Sequence, residues 1–525
     1  MNIIQSYWSA PSKNSGNTVF DRHSGGWLGE REHAISWSLS CLKLKQFYPY
    51  LQLFTDDNGS EWLIDKLNLP YAEVFNCLNH IPQLNPALWA LAKLFVYNLQ
   101  EKPFVHVDGD VYIWEAFKAS YLKSELLAQN EEYDLDESPY GDIYISSAYK
   151  FLTSKTELPK EVKFYIAQCK ESGRFYGYNT GVVGGYNLEF FREYTQSVFD
   201  YLHNNPQQVY EGKDMSFFEQ FFFHSMASAK ERKVSVLFEP QPAVSPTAYA
   251  EMMQFNLVPL KEKFIHVVGI GKRNRVPAAQ VAMRLKYEFP KHYQHIVTLY
   301  PYKKFYFPAK TEVTEQLDSI FPYTLKLLQK NGSSIRYRSI QSFTKAVEKV
   351  IGEELQSTEL QLLNDFFQIE YFRYKTPIYQ SSEEAARPVL EKLYTLSQEG
   401  FMDLKMTFNS AAGRLVLMFY PFPTELTSAS LLQHFDRVQN ERAVEFPYMA
   451  ILTYRSNEVE IEALNSWGAL LSYFEGKSRS GWDLYNYLKS EKRLEGYAER
   501  YLKNQVLSFM TTYSVCYNYL VLTTQ

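Results

Sequence analysis

The chain has 525 residues, of which 46% are apolar and 22% charged, and carries a formal charge of -5; this composition describes a globular protein and argues against a disordered or membrane-spanning one. Without a basic block there is no nucleic-acid-binding tract to expect, because affinity for phosphate backbones needs clustered Lys and Arg. The length exceeds what one core can organise, so several domains are expected.

Residues 2 to 8 are apolar and aromatic enough for a first strand, followed by a polar loop from Ser9 to about Gly29. The amino terminus shows neither a charged leader nor a long apolar run, and no later run approaches a spanning length. Cytoplasmic residence is the expectation, with room for peripheral association with the inner face of a membrane. From Glu32 to Gln46 the positions Ile35, Leu39, Leu42 and Leu44 recur at roughly helical spacing, and Tyr50 to Thr55 reads as a second strand closed by Asp56-Asp57-Asn58-Gly59. A helix over 60–67 and a strand over 71–75 complete a βαβ rhythm. The stretch from Pro86 to Leu99 is rich in helix formers. On it, Lys93 either snorkels to water or points to the lip of the next strand.

That next strand is Phe104-Val105-His106-Val107, which ends on Asp108-Gly109-Asp110 before apolar residues resume at Val111-Tyr112-Ile113. Two acids at the end of a buried strand cost desolvation and repel each other, which points to a compensating cation and a ligand. Gly109 leaves room for a metal and a diphosphate to approach the backbone. The plainer alternative is a surface Asp-Gly turn.

Polar text from Glu115 to Pro159 suggests insertions around a strand near 142–146, with Glu131 to Glu137 as a solvated acidic run. Tyr178-Asn179-Thr180-Gly181-Val182 is a strand whose amide and bare backbone could face a ligand, and a helix follows from Leu188 to His203. Asp214 opens a helix running into Phe217–Phe223, where an N-cap role alone would account for it. Lys263 to Arg273 is a strand running into a glycine turn; His266, Gly269 and Lys272 there read as part of an anion and metal site. After about residue 305 amphipathic helical text extends to about Phe372, with a boundary near Thr376-Pro377. Strand candidates at 404–408, 414–420 and 448–453 and a mainly helical tail follow, suited to acceptor recognition, partner binding or oligomerisation. The four cysteines form no Cys-x-x-Cys pair, so neither a zinc site nor a disulfide framework is signalled.

In this order the segments resemble the retaining nucleotide-sugar glycosyltransferases of family 8, which include glycogenin and bacterial lipopolysaccharide galactosyltransferases. The likeness covers roughly residues 1 to 300. It rests on Lys93, on Asp108-Gly109-Asp110, on Asn179-Thr180-Gly181, on Asp214-Met215 and on His266-x-x-Gly269-x-x-Lys272. Met215 departs from the family's usual Gln, and Arg273-Asn274 from its Pro-Trp.

The resemblance implies a GT-A, Rossmann-like α/β domain over 1–305, with a mixed, mainly parallel sheet flanked by helices. A helical segment over 306–376 and an α+β and helical region over 377–525 would follow, with oligomerisation through the latter open. It also implies transfer of a sugar from a nucleotide diphosphate sugar, UDP being the expected base carrier, to a hydroxyl acceptor that is a glycan, a lipid-linked sugar, a peptide or a protein. Asp108, Asp110 and His266 would bind Mn²⁺ or Mg²⁺; Lys93, Asp108, Gly181, Gly269 and Lys272 would hold the donor; Asp214 and Asn179 would serve the chemistry. Two alternatives remain: a phosphatase of the haloacid-dehalogenase type using Asp108 as nucleophile, and a non-catalytic scaffold of the same fold.

Overall fold

Consecutive residues in a strand point to opposite faces, so a strand apolar at every position must be covered on both sides. The computed structural model follows this rule. It describes all residues except 14–22, 82–84, 86, 136–141, 155–156, 244–252, 261, 274, 301–316, 331–338, 355–357, 376–387, 390, 394, 410–411, 418–447, 456–457, 464–467, 491–498, 517–518 and 524–525. Chain contacts divide it into two compact units, Met1–Pro301 and Tyr302–Gln525. The boundary stretches expected after Tyr300 and at Thr376-Pro377 fall on residues 301–316 and 376–387, outside the described ones.

The first unit is built on a seven-stranded mixed sheet in the order β3-β2-β1-β4-β7-β6-β8. Its strands are β1 (Asn2–Tyr7), β2 (Gln52–Thr55), β3 (Glu73–Phe75), β4 (Phe104–Val107), β6 (Leu126–Leu135), β7 (Arg174–Gly185) and β8 (Val234–Pro242). Pairing is parallel from β3 through β4 and between β6 and β8, and β7 alone runs against its neighbours. Ile4, Phe104, Leu126 and Val183 enter one apolar cluster, while their neighbours Ile3, Val105, Leu127 and Val182 enter a second. The sheet is therefore the shared wall of two cores.

The expected strand-helix alternation is present: Glu30–Phe47 lies between β1 and β2, Leu91–Asn98 leads to β4, and Leu188–Asn204 follows β7. Pro86, expected to open the helix before β4, lies outside the described residues, and the helix itself begins at Leu91. Three local readings differ. Residues 56–59 are not a plain turn: the Asp56 carboxylate accepts from Gly59 N (2.7 Å) and caps a helical turn, Asp57–Ser60, that continues as Glu61–Lys66. Residues 142–146 open a helix, Ile145–Thr153, instead of a strand. Asp134 takes the amides of Ile143 (2.8 Å), Tyr144 (2.5 Å) and Ile145 (3.3 Å), and Asp142 takes that of Ser146 (2.7 Å), so two acids satisfy its orphan donors. Residues 131–135 of the acidic run are the end of β6, with Glu132 and Asp134 buried. The strand missing from 142–146 is thus found upstream.

The second unit combines helices and small sheets, as its text suggested. Phe321 stacks between Phe343 and Phe367, from helices Ile340–Glu354 and Thr358–Lys375, at 5.0 and 6.0 Å between ring centres. The fully buried Glu370 accepts from Tyr323 N (2.8 Å) and Thr324 N (3.0 Å), neutralising the amino end of helix Pro322–Lys330. β10 (Met406–Phe408) pairs with β14 (Leu520–Leu522), and β11 (Gly413–Leu417), β12 (Tyr448–Arg455) and β13 (Glu458–Ala463) form an antiparallel sheet.

Many of the aromatics lie in the first core. Phe221 is fully buried, 5.1 Å from Phe217, 5.2 Å from Tyr165 and 6.0 Å from Tyr144 between ring centres. Phe221→Ala is expected to cost about 3–5 kcal/mol, the range for deleting a buried ring. Denaturant unfolding of the variant checks this, and a loss below about 1 kcal/mol contradicts the packing.

Candidate metal centre

The strand expected to end on two acids does so. β4 ends at Val107, the chain turns through Asp108-Gly109-Asp110, and β5 (Val111–Ile113) leaves the main sheet to pair with β9 (Phe264–His266). The register sets Val111 opposite His266. Residues far apart in sequence are thereby brought to one turn, at the carboxyl end of β4 beside β1, where the strand order reverses direction and open α/β sheets bind ligands.

Every backbone carbonyl of the turn has a donor. Asp108 O accepts from Ser40 Oγ (3.2 Å) and Val111 N (3.2 Å), Gly109 O from Ser36 Oγ (2.9 Å), and Asp110 O from Val267 N (3.1 Å). Asp108 N donates to Gly181 O (2.9 Å). Ser36 and Ser40 are one helical turn apart on Glu30–Phe47 and bracket Trp37, whose ring lies so close beneath Gly109 that a Cβ there would approach it to 2.5 Å. Any side chain at 109 would lift the turn off its floor.

Asp108, Asp110 and His266 each present a ligand atom, all within 4.8 Å of one another. The His266 ring is oriented from behind. Gln129 on β6 donates its amide N–H to Asn130 Oδ1 (3.1 Å), which leaves its carbonyl to accept from His266 Nδ1 at 2.7 Å. Nδ1 therefore donates a hydrogen, and Nε2 is turned toward Asp110 Oδ1 at 3.4 Å. That buried oxygen receives no hydrogen bond from any described residue. A ring nitrogen and a carboxylate oxygen facing each other across 3.4 Å suit a shared positive charge, a proton or a metal cation. Two carboxylates and one imidazole are a donor set that could hold a divalent cation. Gly181 makes this possible, since a Cβ there would meet His266 Cε1 at 2.4 Å and Gln129 Oε1 at 2.7 Å.

Two lysines serve the acids. Lys272 Nζ is 2.5 Å from Asp110 Oδ2 and 3.5 Å from Gly25 O, standing in the turn Gly269–Arg273 beyond β9. Lys93 is buried, not snorkelling, and its Nζ lies 2.9 and 3.1 Å from the two Asp108 oxygens and contacts Glu219. Burial pushes Asp108 up to about 6, with Lys93 pulling against it. For Asp110 burial acts in the same sense, but Lys272 and His266 outweigh it and hold the carboxyl well below the usual range. The paired acids are thus split in acidity.

Asn179 and Asp214 have other company. Asn179 Oδ1 accepts from Gly181 N (3.0 Å), and its amide donates to Glu132 Oε1 (2.7 Å). It shapes the backbone behind His266. Asp214 is fully buried and bonds Ser147 Oγ (2.7 Å), Lys150 Nζ (2.6 Å) and Glu211 N (2.8 Å). Met215 beside it is fully buried in the first apolar cluster. The residue of this helical stretch that joins the site's polar network is Glu219.

Sequence reasoning missed Gln129, Glu132, Glu219, Ser36 and Ser40. A signal existed for Glu219, the lone charge in Met215–Phe223, because a charge among so many phenylalanines must have a partner. Ser36 and Ser40 stood at helical spacing between apolar residues.

Fold and site together define an α/β protein with a carboxylate-histidine centre at the switch point of its sheet. The chain belongs to the family of unknown function DUF6734, whose model matches residues 1–299. No curated protein matches it. Similar solved structures include the glycosyltransferase GlyE of Streptococcus pneumoniae TIGR4, at 12% identity over 62% of this chain and 72% of that one, with a TM-score of 0.29. The galactosyltransferase LgtC shares 11% identity over 42% and 70% of the two chains, TM-score 0.22, and mouse xyloside xylosyltransferase 1 shares 13% over 45% and 84%, TM-score 0.24. All three scores fall below 0.5, so the functional reading rests on the site. No helix among the described residues is long and apolar enough to cross a membrane.

Glu132 gives the site a measurable pH signature. Burial raises its carboxyl from 4.5 to about 7, with the Asn179 amide opposing. A raised acid favours the folded state below its unfolded value, and that stability is lost as pH rises toward the folded one. The wild type should therefore lose melting temperature between pH 5 and 7.5 relative to Glu132→Gln, which keeps the Asn179 contact. Parallel pH profiles for the two proteins contradict it.

Proposed function

We propose that residues 1–305 form a metal-dependent glycosyltransferase domain that moves a sugar from a nucleotide diphosphate sugar, with UDP as the carrier, to a hydroxyl acceptor with retention of configuration. The observation that carries the reading is the convergence of Asp108, Asp110 and His266 Nε2 at the end of β4, with Lys272 beside them. Such a centre suits a pyrophosphate, whose charge needs both a divalent ion and an ammonium.

Asp108, Asp110 and His266 would hold Mn²⁺ or Mg²⁺. The bound ion supplies countercharge for the departing diphosphate, an effect worth several kcal/mol. Lys272 and the amides of the turn from Gly269 bind the phosphates. Asn179 fixes Gly181 and so keeps space for the imidazole; Asp214, assigned to the sugar side, would have to exchange its Ser147 and Lys150 partners to offset positive charge developing at the transferred carbon. Residues 306–376 and 377–525 serve acceptor or partner recognition, the acceptor being a glycan, lipid-linked sugar, peptide or protein. The phosphatase alternative needs Asp108 as an attacking group, yet both its oxygens are held by Lys93.

Thermal-shift titration with nucleoside diphosphates and their sugars, with and without Mn²⁺, tests the proposal. A UDP-sugar should raise the melting temperature only with the metal present, and Asp110→Asn should abolish both the shift and donor hydrolysis. No shift for any nucleotide, or full hydrolysis in Asp110→Asn, overturns the reading.

A further inference from the structure

Glu219 is 1% exposed and sits among the fully buried Phe217, Phe218, Phe221 and Phe222. An isolated carboxylate there would be prohibitively costly. Its segment, Phe217–Phe221, is a π-helical turn, and the Tyr194 hydroxyl donates to Glu219 O at 2.5 Å. Single π turns of this kind are frequent at functional sites. Among the described residues the cation paired with Glu219 is Lys93, whose ammonium also takes both Asp108 oxygens and lies 3.5 Å from Thr180 O. The Lys93 ammonium is thus held between two carboxylates and a backbone carbonyl.

We propose that Glu219 is a positioning residue that sets the cation affinity of Asp108 by neutralising Lys93. This rests on the metal reading of the centre given above. Lys93 fixes the Asp108 carboxylate, but an uncompensated ammonium 2.9 Å from a ligand oxygen would repel a divalent ion and compete for that oxygen. Glu219 removes the conflict. Asp108, Lys93 and Glu219 together carry a net charge of about -1, the value Asp108 would have alone, so the pin holds geometry without spending the charge that attracts the metal. Lys93 is then a support for Asp108, not a hand on the donor.

Mn²⁺ binding to the full chain, read from the loss of the free aqueous Mn²⁺ resonance, separates this from a packing role. Glu219→Gln should weaken Mn²⁺ about tenfold or more, the scale expected from one uncompensated charge close to a divalent ion. The double variant Lys93→Met with Glu219→Gln should recover to within about threefold of the wild type, because the offending ammonium is gone. Unchanged affinity in Glu219→Gln, or a double variant at least as weak as the single, overturns the proposal. Should Glu219→Gln fail to fold by near-ultraviolet dichroism, the double variant and Glu219→Asp decide: both near wild-type affinity support it, and either one weakened tenfold overturns it. A wild type that binds no Mn²⁺ instead removes the metal reading itself, and this inference with it.

Discussion

A hydrogen bond at the back of the site, from His266 Nδ1 to the Gln129 carbonyl at 2.7 Å, constrains the chemistry in front of it. By orienting the ring it aims Nε2 at a buried carboxylate oxygen, an arrangement that shared positive charge stabilises. Lys272 meets the other oxygen of the same acid. That geometry could hold a divalent ion.

The bond exists because four strands converge. β5 breaks from the main sheet to pair with β9 and brings His266 to Asp110, while β7 contributes the bare Gly181 and β6 contributes Gln129. Sites carried on strands and satisfied turns hold their geometry better than sites on free loops. Here each carbonyl of the acidic turn is bound, two of them by serines of one helix. Buried charges are paired on the same plan: Lys93 with Asp108 and Glu219, and Lys150 with Asp214.

Much of this was legible in the residues themselves. The strand-helix alternation through Phe75 and the apolar run into Asp108 are local patterns, and hydrophobic period reports them well. What local pattern could not report is partnership. Glu131 to Glu137 looked solvated because charge usually means surface, yet Glu132 and Asp134 are buried where Asn179 and three backbone amides meet them. The acids Asp134 and Asp142 also turned an expected strand into a capped helix. Asp214 and Met215 were read through the resemblance; their neighbours Ser147 and Lys150 come from a helix that the sequence had not revealed.

The central claim is that His266 Nε2 and the two carboxylates share one cation. Electron spin-echo spectroscopy of the Mn²⁺-loaded protein reads directly whether nitrogen is bound. The account predicts a directly coordinated nitrogen whose signal changes on ¹⁵N-histidine labelling and vanishes in His266→Ala. Mn²⁺ bound at the protein with oxygen ligands alone would contradict it.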